Sequence, residues 1–481
     1  MQNYYRFLIP RLNGDSVKKD FARHLSLVKK GIAGFIVFGG RLEEVRKCVT
    51  RLQEESAYPL VIASDLERGL GQQIKGGTHL PPSMALARAV TKGRAGYDLP
   101  LFRKTCRVLA GEAAYAGINT ILAPVLDINT NPKNPIIAAR AFGEDEKTVS
   151  LLGAEMIKTL QKKGIAACGK HFPGHGDTEV DSHIKLPVIN RSLIDLTRNE
   201  LRPFKKAVET GVRMIMLGHL SVPALDRSGI PVSFSKRAVR FLRKNMHYDG
   251  IVITDAMNMG GIGKYSEEKA SFMALQAGVD FILHPSDAAK VVSYMETQGR
   301  AFDASRTESF LESLPRFPAD ARPDFRGDGR LSETLTEKAI YVKGSFDFEK
   351  PLLLIVLNDE EDTRGDALIR VLKKSRRDLR LQLINRDSKR KILSVDENMS
   401  VIVAIFSETK GWKGGTGDWL YHALSRLEKK AALFISFGSP YLLDGIADKA
   451  KMFAYWDSEA AQKAVARLIL KRSKDPRRSP R

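Results

Sequence analysis

Apolar and polar positions alternate in blocks along the first roughly 300 residues, with short apolar runs followed by longer stretches at helical spacing. The run Tyr5-Arg6-Phe7-Leu8-Ile9-Pro10 predicts a first strand. Asp15-Ser16 then precedes Val17, Phe21, Leu25 and Val28, a capped amphipathic helix that ends at Gly31. Residues 34–40 are apolar throughout, as in a parallel strand covered on both faces. The same alternation predicts strands over 60–65, 119–123, 165–168, 213–217, 250–254 and 280–283. Helices are predicted over 42–55, 103–116, 149–163, 193–210, 235–245 and 267–277. About eight strand–helix units over this length predict an α/β domain of the TIM (β/α)8 barrel type, with a doubly wound open sheet as the structural alternative.

The polar residues gather at one end of these units. Asp65, Lys170, His171, His219, Asp255 and His284 each stand at or just past the C-terminal end of a predicted strand, and Asp127 and Arg140 follow the fourth. In a barrel those ends form one rim, where active sites are built. Chance would scatter such residues over both ends.

The densest polar stretch is 169–183, Gly-Lys-His-Phe-Pro-Gly-His-Gly-Asp-Thr-Glu-Val-Asp-Ser-His. It follows an apolar run, so Lys170 and His171 are expected where that strand ends. Pro173, Gly174 and Gly176 break regular structure and predict a loop. So many polar groups on a loop after a buried strand point to function more than to packing. Asp181 and His183 are two apart, close enough for the carboxylate to orient the imidazole.

A Pro-, Arg- and acid-rich stretch over 316–348, with one helix near 331–340, reads as a linker between a catalytic domain over 1–315 and a second domain over 349–481. Strands over 351–357, 379–384, 401–406, 432–437 and 452–456 with helices between them predict a smaller α/β domain of about five parallel strands.

Composition narrows the functional classes. Hydrophobic residues are 43% and charged residues 28% of the 481, which suits a globular chain. No apolar run approaches the roughly 18 residues a membrane span needs, and no secretory leader is expected at Met1-Gln2-Asn3-Tyr4-Tyr5-Arg6. Cys48, Cys106 and Cys168 lack metal spacing and read as buried thiols of a reducing compartment. The net charge of +21 comes from scattered cations, from Lys373-Lys374-Ser375-Arg376-Arg377, from Lys389-Arg390-Lys391 and from a basic tail over 471–481. No recognition helix or aromatic-interleaved basic strand accompanies it, so a solvated basic surface is expected and no nucleic-acid partner.

A carboxylate such as Asp255 at a barrel mouth can attack an anomeric carbon and leave again, although it could equally cap a helix. Asp181 with His183 suits general acid/base work. Asp65, Arg140, Lys170 and His171 suit the hydroxyl fan of a pyranose ring. A metal site built from His171, His175, Asp181 and His183 competes, though its spacing matches no standard ligand pattern.

These segments resemble a family. Residues 170–176, Lys-His-Phe-Pro-Gly-His-Gly, with Asp181-Ser182-His183, resemble the signature of the family 3 glycoside hydrolases that act as β-N-acetylhexosaminidases. Val252-Ile253-Thr254-Asp255-Ala256 is similar to that family's nucleophile segment, and Ser64-Asp65-Leu66-Glu67-Arg68-Gly69 to its early Asp-x-Glu motif. Residues 122–127 and Arg140-Ala141-Phe142-Gly143 resemble its fourth-strand segment, and the second domain resembles the α/β sandwich of two-domain members. The Asp-Ser-His triplet separates this branch from the β-glucosidase branch. One departure stands out: many members place two glycines and an arginine after the Asp-x-Glu motif, where this chain has Arg68-Gly69-Leu70.

The resemblance implies Asp255 as nucleophile, His183 as acid/base held by Asp181, and Asp65, Arg140, Lys170 and His171 as sugar binders. It further implies a cytoplasmic, exo-acting, retaining β-N-acetylglucosaminidase without metal or organic cofactor. Its substrate would be a small GlcNAc-bearing carbohydrate from peptidoglycan turnover, with a β-glucosidase as the enzymatic alternative.

Overall fold

The computed structural model describes residues 2–93, 96–348, 350–362, 364–387, 398–408, 411, 413 and 415–472. The Lys389-Arg390-Lys391 run and the tail beyond Arg472 lie outside the described residues. The fold is α/β, and the chain divides into two compact units. The first takes residues to Leu80, Asp98–Asn134 and Ala141–Gly329; the second takes Pro81–Tyr97, Pro135–Arg140 and the residues from Arg330.

In the first unit the strands are β1 (Leu8–Ile9), β2 (Arg11–Asn13), β3 (Gly34–Phe38), β4 (Val61–Ser64), β5 (Thr120–Ile121), β6 (Ala166–Phe172), β7 (Met214–Leu217), β8 (Ile251–Thr254) and β9 (Ile282–Leu283). Strands β2 to β8 form a curled, parallel sheet in chain order, and β1 pairs in parallel with β9. Alternate residues share a face. Ala63, Ala166, Cys168, Met214, Met216, Ile251 and Ile253 accordingly pack into one core with Ile36 and Val61. All three cysteines are buried and free.

Local chemistry explains where elements depart from the apolar pattern. The expected first strand begins with a 3-10 turn, Tyr4–Phe7, because the Asn3 side chain accepts from the Tyr5 N–H and both Tyr4 and Phe7 are buried. Pro10, which has no N–H to give a ladder, separates β1 from β2. Strand β6 runs past its apolar start through Lys170 and His171, so these residues lie within the strand rather than after it. The helix expected over 193–210 is two, Leu193–Arg198 and Leu201–Glu209. Pro203 stands in the first turn of the second, where its ring would clash with the Asn199 carbonyl of a continuous helix.

In the second unit, β10 (Tyr341–Lys343), β11 (Leu352–Asn358), β12 (Arg380–Ile384), β13 (Ser400–Ser407), β14 (Ala431–Gly438) and β15 (Ala450–Phe453) form one sheet in the order β10-β15-β14-β13-β11-β12. Leu352, Leu354 and Val356 face the helices that carry Leu368 and Val465, while Leu353, Ile355 and Leu357 face Leu420 and Leu424. Among the described residues the sheet therefore has six strands where five were expected. The added β10 is antiparallel to β15 and lies, with the helix Phe325–Ala339, in the stretch read as a linker. Its three residues, with Tyr341 and Lys343 exposed, are too short a run to carry a strand signal.

Candidate functional site

The ends of the parallel strands in the first unit bring most of the expected residues together. Lys170, on β6, is 2% exposed and ion-pairs with Asp65 Oδ1, just past β4, and with Glu67 Oε1, each at 2.7 Å. A buried ammonium needs such partners, because its charge would otherwise be stranded out of water. Glu67 was quoted in the sequence only as part of a motif, and its spacing from Asp65 was the one signal available.

His171 is held by Asp127. Its ring Nδ1 lies 2.7 Å from Asp127 Oδ2, and its backbone N–H donates to Oδ1 at 3.1 Å. The backbone N–H of His175 donates to the same Oδ1 at 2.7 Å. Burial pushes the Asp127 carboxyl up, but His171 and these donors outweigh it and hold it below its ordinary value. Asp127 was noted in the sequence as a polar residue beyond the fourth strand. Its role as the joint partner of two histidines was not foreseen.

Asp181 is buried and His183 is partly open, with 23% of its side chain exposed. Asp181 Oδ1 accepts from the His183 backbone N–H at 2.8 Å and lies 2.8 Å from the ring Nδ1. Ser182 between them is bound through its hydroxyl to His175 Nε2 at 2.9 Å, and His175 Nδ1 meets Thr178 Oγ1 at 2.8 Å. Burial lowers the His175 pKa to about 4, so this ring is a neutral strut at neutral pH.

Asp255 follows β8, and its Oδ1 accepts from the Ala256 N–H at 2.8 Å. No helix follows it directly, but the turn that the capping alternative expected is there: the Met259 N–H closes on the Ala256 carbonyl at 3.2 Å, and Asp255 takes the first amide of that turn. Burial raises the Asp255 pKa, but the charges of His171, His219 and His183 oppose it, and the group lies below its ordinary value. Three imidazoles from three segments therefore act electrostatically on this carboxylate. His219 is itself fixed by Ser233 Oγ at 2.7 Å from Nδ1 and by the Ala256 carbonyl at 3.1 Å from Nε2. His284, after β9, packs its ring on Phe38 and is lowered to about 4, chiefly by burial and also by Arg11.

Arg140, the remaining expected binder, belongs to the second unit, where its Nη1 donates to the Ile136 carbonyl at 3.0 Å. The four residues of the competing metal reading do not form one ligand set: the His171 ring turns to Asp127, the His175 ring to Thr178 and Ser182, and the His183 ring to Asp181. Among the described residues no group of three or more His, Cys, Asp or Glu is arranged to hold a metal ion. Among them, too, no helix is long and apolar enough to cross a membrane. Chemically, the arrangement offers an ionised carboxylate, an imidazole oriented by a buried carboxylate, and a charged set suited to hydroxyl groups.

Comparison with known proteins agrees with this chemistry. Residues 12–308 match the model of the glycosyl hydrolase family 3 N terminal domain. The chain is 30% identical over 316 residues to beta-hexosaminidase A of Pseudoalteromonas piscicida, a match that covers 59% of this chain and spans about half, 52%, of that relative. It is 30% identical over 340 residues to the beta-hexosaminidase of Bordetella pertussis, covering 69% of this chain and 94% of that one. A solved family 3 beta-N-acetylglucosaminidase from a Paenibacillus species superposes with a TM-score of 0.83 at 26% identity, over 98% of this chain and 96% of that one. The chain belongs to glycosyl hydrolase family 3.

Proposed function

We propose that the chain is an exo-acting, retaining β-N-acetylglucosaminidase that removes terminal β-linked GlcNAc from small carbohydrates. The observation that carries the reading is the Asp181–His183 pair, 2.8 Å apart, together with an ionised Asp255 in the field of the same histidine. In the first step an Asp255 oxygen attacks the anomeric carbon, the glycosidic bond breaks, and the electron pair goes to the leaving oxygen. His183 supplies the proton that this oxygen takes. In the second step water attacks the anomeric carbon, gives its proton to His183 and releases Asp255. Retaining enzymes ordinarily use two carboxylates for these tasks, and a histidine held by Asp181 would serve in place of one. Asp65, Lys170 and His171 would bind the sugar, with Glu67 and Asp127 holding Lys170 and His171.

The same reading takes the curled sheet as a (β/α)8 barrel. In its support, Pro10 alone separates β1 from β2, β1 pairs with β9, and an isolated bridge links Ile253 on β8 to Phe281, the residue before β9. The second unit would be the α/β sandwich of two-domain members. Substrates from peptidoglycan turnover fit a chain of net charge +21, since muramic-acid derivatives bear a carboxylate.

The test is release of 4-nitrophenol from the β-N-acetylglucosaminide and, in parallel, from the β-glucoside. Turnover of the first alone, lost in Asp255→Asn, is the expected result. Equal turnover of both would favour a broad-specificity β-glucosidase, and turnover of neither by folded protein would reject a glycosidase acting on these sugars.

A further inference from the structure

The proposed reaction needs His183 and Asp255 in fixed register, yet they stand on different loops. Between Phe172 and Leu193 the loop of His183 has no helix or strand to hold it. Two backbone bonds tie it to the loop of Asp255. The Gly260 N–H donates to the His183 carbonyl at 2.9 Å, and the Gly261 N–H donates to the Ser182 carbonyl at 2.8 Å. On its other side the triplet is gripped by His175 Nε2 at the Ser182 hydroxyl.

The glycines are there for room. Neither has a left-handed backbone, so conformation alone would admit another residue. A Cβ on Gly260 would stand 2.2 Å from the Ile184 carbonyl oxygen. One on Gly261 would stand 2.7 Å from both the Ser182 oxygen and His219 Cβ. These atoms are backbone or tightly placed side chain and have little freedom to yield. Only two residues without side chains bring the amides of one loop within hydrogen-bond reach of the carbonyls of the other.

From this geometry we infer that Gly260-Gly261 is a latch that sets His183 against the nucleophile, making both glycines positioning residues for proton transfer. The inference rests on the reading of His183 as acid/base. It follows from the distance dependence of that step: a displacement of about 1 Å can cost about 100-fold in rate.

The test compares Gly260→Ala and Gly261→Ala with His183→Ala on two aryl β-N-acetylglucosaminides. One has a leaving group acidic enough to depart unprotonated, dinitrophenolate; the other, 4-methylphenolate, needs a proton. For the glycine variants we expect kcat/KM on the poor leaving group to fall about 10- to 100-fold, and on the good one less than about threefold. Equal losses on both substrates, or a wild-type pattern, overturn the latch. If His183→Ala itself shows no leaving-group dependence, the reading of His183 fails instead. Hydrogen exchange in the unaltered protein gives a readout that needs no variant. Protected Gly260 and Gly261 amides support the latch, and exchange at the rate of an open loop overturns it.

Discussion

Asp127 grips His171 twice: one carboxylate oxygen takes the backbone N–H at 3.1 Å, and the other meets the ring Nδ1 at 2.7 Å. The backbone and the side chain of one residue are thus fixed by a single buried carboxylate, which also takes the His175 N–H. Removing it strands two buried amides and one imidazole. Asp127→Ala is expected to lose about 3 kcal/mol or more of stability, at about 1–3 kcal/mol for each orphaned group. Asp127→Asn should keep more stability, yet leave His171 in the wrong tautomer and lower kcat/KM. Urea unfolding beside steady-state kinetics checks both.

Lys170 joins two carboxylates, and it is the more buried partner in both pairs. Lys170→Met should destabilise by about 3–5 kcal/mol, because it leaves Asp65 and Glu67 facing each other without a counter-charge. Glu67→Gln alone should weaken sugar binding through Lys170. A double-mutant cycle between Lys170 and Glu67 should show coupling of roughly 0.5–3 kcal/mol. Additive effects would mean that the pair does not act as a unit.

Two histidines bear on acid stability. His175 and His284 are held neutral mainly by burial, each with its pKa lowered to about 4 from 6.5. Between those values the unfolded chain binds their protons and the folded one does not. Stability is therefore full above about pH 6.5 and falls as the pH drops toward 4, by roughly 3 kcal/mol for each. His284→Asn should remove about half of that fall. An unchanged slope in urea titrations would show that His284 is not held neutral.

Asp255 should stay ionised well into acid. Its pKa is lowered from 3.8, so the ionised form persists above that value and is lost only as the pH falls below it. With dinitrophenolate as leaving group, kcat/KM should stay level from about pH 6 to about pH 4.5. An acid limb with its midpoint above about pH 5 would reject a lowered Asp255.

Much of this was readable along the chain because strands buried on both faces need apolar runs, and those runs locate the polar residues that end them. Asp255, His171 and Asp65 were found in this way, and Asp181 with His183 by being two apart. The rest depended on partners distant in sequence. Asp65 and Lys170 are 105 residues apart, and Asp127 is 44 from His171, with no local periodicity to link them. The first strand was misread because Asn3 caps a turn and Pro10 interrupts a ladder. The helix over 193–210 was drawn through Pro203.

The sequence by itself determined most of the buried strands and at which end of them the polar residues lie, since propensity, capping and apolar spacing act over a few residues. It also announced the Asp181–His183 pair, because a two-residue separation brings a carboxylate to its imidazole in almost any loop. Only the tertiary structure decided what surrounds each group. That Glu67 and Asp65 share Lys170, that one carboxylate serves two histidines, and that two glycine amides hold the His183 loop follow from the curl of a parallel sheet. The curl brings distant strand ends within hydrogen-bond reach, and burial then makes each unpaired charge or amide too costly to leave alone.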